Sequence, residues 1–353
     1  MKTIRTVFAS LAAVLALCAC AAPPKVPART HAKHPAKSTA KPAQSLPRRA
    51  APAVQSQTAH RRSPYVGAVC ADATSGRILF SDNADAEAYP ASVTKLMTLF
   101  LVLEDVRARR YSLDDKVVAT PDAYRCEPSW IGIKAGESMT VRDLCLALMV
   151  ESANDAAIVL AVHSAGSFDA FVTRMNSRAA SLGMSRTRYH NPNGLPPNAG
   201  RKYPWKSFNV STAHDQLRLA LALLKFPEAL TFTSVKTCDL VKTSGGYRVS
   251  VTRRVNAPQS RTELAPGESV VKQMRNHNNV MVKDKQKVFN PDGKEAVDGF
   301  KTGYIDAGGS SVVITGFRGG RRAVAVVLGS STSKERDDNA ARLIADALGA
   351  IDW

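Results

Sequence analysis

Ser92 and Lys95 stand three positions apart at the head of a stretch in which nearly every residue is apolar. On a helix, positions i and i+3 share a face, so a hydroxyl and an amine placed there come within hydrogen-bonding reach. Serine attacks a carbonyl only when a base takes its proton, and lysine can be that base once burial lowers its pKa. The amide dipole at a helix N-terminus favours negative charge developing at the same point. A single S-x-x-K is weak evidence, because ordinary composition supplies about one per chain of this size. Ser38-Thr39-Ala40-Lys41 is a second copy, with no helical pattern around it.

Two further groups extend the pattern. Ser152-Ala153-Asn154 falls in a short break between two predicted helices, where a hydroxyl can relay a proton to a leaving amine and an amide can hold a peptide carbonyl. Ser207-Phe208-Asn209 repeats that spacing in a loop with Pro and Trp, and is read as structural. Lys301-Thr302-Gly303 enters a strand after Asp298-Gly299-Phe300. A cation and a hydroxyl there suit a terminal carboxylate, and Gly303 leaves room for a substrate backbone.

The elements that must hold these residues follow from periodicity. Tyr65 to Asp72 and Arg77 to Ser81 read as a hairpin about Thr74-Ser75-Gly76; Ser310 to Phe317 and Arg322 to Gly329 read as another about Gly319-Gly320. Ser92 to Val106 is apolar on almost every face, the mark of a helix buried all round. A cap at Thr140 opens a helix toward Val150, and Asp155 to Ser164, Ser211 to Leu224 and Arg336 to Leu348 read as three more. Strands therefore sit at both ends and helices between.

The chain has 353 residues and a formal net charge of +18. The first 63 residues carry eleven Lys or Arg and no Asp or Glu, leaving 37 basic against 30 acidic residues beyond, or +7. With the basic excess outside the folded part and no reading motif within it, nucleic acid is not an expected partner. Residues 1–20 run from Lys2 and Arg5 through an apolar stretch to Leu17-Cys18-Ala19-Cys20, the order of an export signal too short to span a membrane. The last four resemble a bacterial lipobox, making Cys20 the expected lipid anchor, with cleavage after Ala19 or Ala21 as the plain alternative. Residues 21–63, with seven prolines and almost no large apolar residue, read as a disordered basic tether. Cys70, Cys126, Cys145 and Cys238 match no metal or C-x-x-C spacing, leaving two disulfides or four buried thiols open. Neither a metal nor an organic cofactor is expected.

S-x-x-K, S-x-N and K-T-G in this order form the signature of penicillin-binding proteins and class A β-lactamases. With Tyr89 to Thr98, Ser112 to Asp115, Glu151 to Ala156 and Asp298 to Tyr304, the chain resembles the D-alanyl-D-alanine carboxypeptidases of low molecular mass, serine peptidase family S11. The resemblance implies an α+β fold of β-lactamase/transpeptidase type: an antiparallel sheet built from both chain ends, flanked by helices, with a helical cluster. It implies that Ser92 attacks the carbonyl between two D-alanines of a peptidoglycan stem peptide, that Lys95 is the base, and that Ser152 and Lys95 pass the proton to the departing residue. Asn154 would bind the stem peptide, Lys301 and Thr302 its terminal carboxylate beside Gly303, and the backbone N–H groups of Ser92 and Tyr304 the oxyanion. β-Lactam antibiotics would be covalent inhibitors, and the protein would work on the periplasmic face, held to the membrane by the lipid on Cys20.

Many relatives carry a β-rich second domain and an amphipathic helix after the catalytic domain. Here the catalytic domain is expected to run over 64–353 with no such domain following, a form also resembling the endopeptidases that cut D-alanyl cross-links. A β-lactamase is disfavoured, since no Glu between Ser152 and Lys301 has Asn four residues later. An inactive wall-binding scaffold is disfavoured because every catalytic position is filled. His190 and His277 are read as polar turn residues.

Overall fold

Strands from the two ends of the chain meet in one sheet, and that meeting sets the frame of the molecule. The computed structural model describes residues 64–349 apart from 124–125, 198–205, 283–287 and 289–291. The expected export signal and tether, Cys20 and the Ser38 to Lys41 copy lie outside the described residues.

β1 (Gly67–Asp72) and β2 (Ile78–Asp82) form the first hairpin. Its turn is pinned by the Asp72 carboxylate, which accepts from the backbone N–H groups of Thr74 at 3.0 Å and Ser75 at 2.7 Å. A 3₁₀ turn, Ala91–Thr94, leads into α1 (Lys95–Arg107). The short strands β3 (Lys116–Val118) and β4 (Ser138–Thr140) precede α2 (Val141–Val150), whose N-cap Thr140 accepts from the N–H of Asp143. α3 (Asn154–Ala165), α4 (Phe168–Ser181), α5 (Ala213–Leu223) and α6 (Pro227–Thr233) follow. β5 (Val235–Thr243), β6 (Gly246–Arg254) and β7 (Ser269–Arg275) come next, then the single turn α7 (Asn279–Val282). β8 (Val297–Ile305), β9 (Gly309–Arg318) and β10 (Arg321–Ser330) complete the strands, and α8 (Ser333–Leu348) begins at a capping box of Thr332 and Glu335.

The main sheet has the order β2-β1-β10-β9-β8 and is antiparallel throughout. Its central strands are apolar at almost every position because both faces are covered. Val69, Ala71, Val324, Val326 and Leu328 belong to the core shared with the helical cluster. The alternate residues Ala68, Cys70, Ala323, Ala325 and Val327 belong to a second core, with Leu343, Ile344 and Leu348 of α8. Successive side chains on a strand point to opposite faces, so one apolar run feeds two cores. α1 and α3 lie inside the helical cluster, which explains their lack of a polar face.

A second sheet, β3-β4-β6-β5-β7, is absent from the expectations above. Its strands are interspersed with Lys, Arg and Thr, and their apolar alternation is correspondingly weak. The turn at Ser244-Gly245-Gly246 between two β-branched runs is the signal that could have found it. All four cysteines in the described residues are buried, and none is joined in a disulfide. Burial pushes the Cys70 thiol up to about 12, leaving it inert at neutral pH.

Candidate active site

Ser92 lies in the 3₁₀ turn and not, as expected, in the α-helix, which starts three residues later at Lys95. The turn is tightened by the bond from the N–H of Val93 to the carbonyl of Pro90, 3.1 Å. Residues three apart eclipse in a 3₁₀ turn. The correction therefore preserves the contact: Lys95 Nζ donates to Ser92 Oγ at 2.8 Å. Ala91, just before the serine, has a φ of +48°, a left-handed conformation that a residue with a Cβ adopts at a cost of about 1–2 kcal/mol. The surrounding contacts must enforce it.

Two backbones press on that turn. Gly194 has a φ of +85°, and a Cβ on it would stand 1.9 Å from the Ala91 carbonyl oxygen. A Cβ on Gly303 would stand 2.4 Å from the Pro90 carbonyl oxygen and 3.0 Å from Ser92 N. Only glycine permits either approach. β8 thus passes directly beside the nucleophile, which brings Lys301-Thr302-Gly303 to Ser92.

Lys95 is fully buried, and its Nζ also donates to Asn154 Oδ1 and to the Asn193 carbonyl, each at 2.7 Å. Burial is the largest cause holding its pKa well below the usual lysine range, with the charge of Lys301 next. With two N–H groups committed to carbonyl oxygens, the remaining position on the nitrogen faces Ser92 Oγ. On the neutral amine that position is a lone pair able to take the hydroxyl proton. Ser152, 2% exposed, holds a left-handed φ of +62° in the break between α2 and α3. It is not among the hydrogen-bond partners of Lys95, so a relay through it requires substrate between them.

Lys301 and Thr302 are buried on β8, and Lys301 Nζ donates to the Thr302 carbonyl at 3.0 Å. Burial, followed by the charge of Arg336 on α8, lowers Lys301 to about 7, while Glu151 acts in the opposite direction. Tyr304 turns its side chain to solvent and donates to Asp306 at 2.8 Å, leaving its backbone next in line after Gly303. Among the described residues, no group of three His, Cys, Asp or Glu is placed to hold a metal ion.

The family whose sequence profile is described as D-alanyl-D-alanine carboxypeptidase, S11, matches residues 55–332. The chain belongs to that family. It is 28% identical over 279 residues to the D-alanyl-D-alanine carboxypeptidase DacF of Bacillus subtilis, covering 78% of this chain and 60% of that protein. The chain therefore spans about three fifths of this relative's length. A D-alanyl-D-alanine endopeptidase of Pseudomonas aeruginosa is 34% identical over 161 residues, 45% of this chain and 47% of that one. Penicillin-binding protein D2 of Listeria monocytogenes, solved in an ampicillin-bound form, superposes with a TM-score of 0.60 at 28% identity, over 80% of this chain and 96% of that one. The fold is the penicillin-binding one expected.

Around the family's three motifs, the structure shows how neighbouring residues position them. Asn209 is structural, as expected, and its role is specific. Its amide donates to Thr94 Oγ1 and to the Asn191 carbonyl, both 3.0 Å, while its oxygen accepts from the N–H of His190 at 2.6 Å and of Asn191 at 3.1 Å. It ties the Asn191-Pro192-Asn193-Gly194 loop to the nucleophile's turn, and so places the Asn193 carbonyl on Lys95. Asp155, buried beside Asn154, accepts from the N–H groups of Ile131, Gly132 and Ile133 and fixes the loop that flanks α3. His277 lies in a turn after β7. Its asparagine neighbours secure the turn, and the imidazole itself bonds to no described residue.

Proposed function

We propose that the protein is a serine-type D-Ala-D-Ala carboxypeptidase acting on peptidoglycan stem peptides. The observation that carries the reading is the buried Lys95 amine, held by two carbonyl oxygens and aimed at Ser92 Oγ. Neutral Lys95 takes the Ser92 proton as Oγ adds to the carbonyl between the two D-alanines. The backbone N–H groups of Ser92 and Tyr304 hold the oxyanion. The C–N bond then breaks, Ser152 and Lys95 deliver the proton to the leaving amine, and free D-alanine departs. Asn154 holds the stem peptide; Lys301 and Thr302 hold the departing carboxylate. Water hydrolyses the ester and restores Ser92. The same Ser92 would open a β-lactam, a reading supported by the ampicillin-bound Listeria relative.

Cleavage of D-alanyl cross-links is the second reading, favoured by the likeness to the Pseudomonas endopeptidase. The buried Lys301 argues for the first. A free D-alanine carboxylate brings a full charge and two acceptor oxygens to it, and charge-assisted bonds of that kind are worth about 1.5–3 kcal/mol each. Given pentapeptide monomer and cross-linked dimer at equal concentration, the enzyme is expected to consume monomer faster and to accumulate free D-alanine, read by product mass. Faster loss of dimer without free D-alanine would make it an endopeptidase.

We also propose export and anchoring through lipid on Cys20, from the Leu17 to Cys20 pattern. Cys20→Ser is expected to move the protein from the membrane fraction to the soluble periplasm of a Gram-negative host. A wild-type protein already soluble there would remove the anchor.

A further inference from the structure

Ser152 is held in place by its backbone. The residue has a left-handed φ of +62°, and no described residue bonds its hydroxyl. A side chain with a Cβ keeps such a φ only where its surroundings enforce it. On the α2 side, the N–H groups of Glu151 and Ala153 both donate to the Ala147 carbonyl, at 3.2 and 3.1 Å. On the α3 side, the Asn154 N–H donates to the Ser129 carbonyl at 2.8 Å, and the Asp155 carboxylate accepts from Ile131, Gly132 and Ile133. The loop 129–133 is thus fastened to the start of α3.

A third segment ties that loop to the end of α2. Lys272 stands on β7, the edge strand of the second sheet, a sheet that carries none of the three motifs. Its Nζ pairs with Glu151 Oε1 at 2.6 Å and donates to the Trp130 carbonyl at 2.9 Å. Glu151 immediately precedes Ser152, and Trp130 immediately follows Ser129. The bonds therefore close a ring: Lys272 to Glu151, along the chain through Ser152 to Asn154, across to Ser129 and Trp130, and back to Lys272. The Lys272 side chain is 36% exposed and that of Glu151 14%. An ion pair so open to water adds little to stability. Its effect is on geometry, because a group that transfers a proton must be held to within about 0.5 Å of its working place.

Resting on the reading of Ser152 as the proton relay, we infer that Lys272 is a positioning residue for catalysis. Its bridge from Glu151 to Trp130 closes the ring and fixes Ser152 where it can protonate the departing amine. Lys272 itself touches no substrate.

The test compares two leaving groups in the whole protein. In an acyl-D-Ala-D-Ala peptide, the C–N bond breaks as the nitrogen receives a proton. In the matching acyl-D-Ala thioester of thioglycolic acid, the C–S bond breaks with its electron pair leaving on sulfur, and no proton is required. Both substrates keep a terminal carboxylate and both give the same acyl group on Ser92. Lys272→Met is expected to lower kcat/KM for the peptide about tenfold or more, a part of the ~10²–10⁴-fold that a positioned proton transfer supplies, and to leave the thioester within about threefold of the wild type. Glu151→Ala opens the ring from its other side and should show the same selectivity; it answers the question if the first variant does not fold. Thermal melts of both should stay near that of the wild type. Ser152→Ala is the reference and should show the selectivity more strongly. If Ser152→Ala is selective while the Lys272 and Glu151 variants slow both substrates equally, or neither, the inference is overturned. If Ser152→Ala slows both substrates equally, the relay reading fails and the inference falls with it.

Discussion

Ser92→Ala is expected to yield a folded protein that no fluorescent penicillin labels. The change removes one oxygen from a partly reachable position, and the Lys95 amine keeps its bonds to Asn154 and Asn193. Stability should therefore move little, so a thermal melt near that of the wild type accompanies the loss. Chemistry should vanish entirely, because the covalent bond to the carbonyl has no other hydroxyl at that place. Ser152 sits nearby but is not bonded to the base. Labelling that survives the change, or maps to Ser38, would remove Ser92 from its role and with it the proposed mechanism.

Lys95→Ala is expected to slow acylation by ~10²–10⁴-fold, the usual contribution of a positioned base. Burial, and after it the charge of Lys301, hold the pKa of Lys95 well below the usual lysine range, which favours the neutral amine that acts as base. Acylation of the wild type should accordingly rise with pH as Lys95 becomes neutral. For a substrate with a free carboxylate, kcat/KM should fall again as Lys301 discharges near its value of about 7. The two lysines thus give a bell-shaped profile, and Lys95→Ala should erase its acid limb. Stopped-flow acylation across pH reads both effects. An unchanged rate in a protein of normal circular dichroism would take Lys95 out of the mechanism.

How much of this was legible beforehand depends on the range of each interaction. The Ser92 and Lys95 pair could be read because i and i+3 meet on α-helices and 3₁₀ turns alike, so the wrong helix type still gave the right contact. The outer hairpins were visible because their turns carry glycine and their strands are β-branched. Asn209 and Asn193 were not legible as parts of the site. Their action on Lys95 runs through a loop more than 90 residues away in sequence, since Asn193 and Lys95 are 98 positions apart, and local pattern carries no trace of such pairing. The second sheet stayed hidden because its solvent-facing Lys and Arg dilute the alternation on which strand reading depends.

The pairing of β1 with β10 joins Gly67 to Leu328 across the middle of the main sheet. During synthesis β1 emerges with β2 as its sole strand partner, and a lone hairpin is marginal in water. The sheet cannot close until nearly the whole domain has left the ribosome. Closure over so long a loop is intrinsically slow. An architecture of this kind delays its own completion. The order of the strands thus makes folding a late event in the synthesis of this domain, complete only when both ends of the sheet are present together.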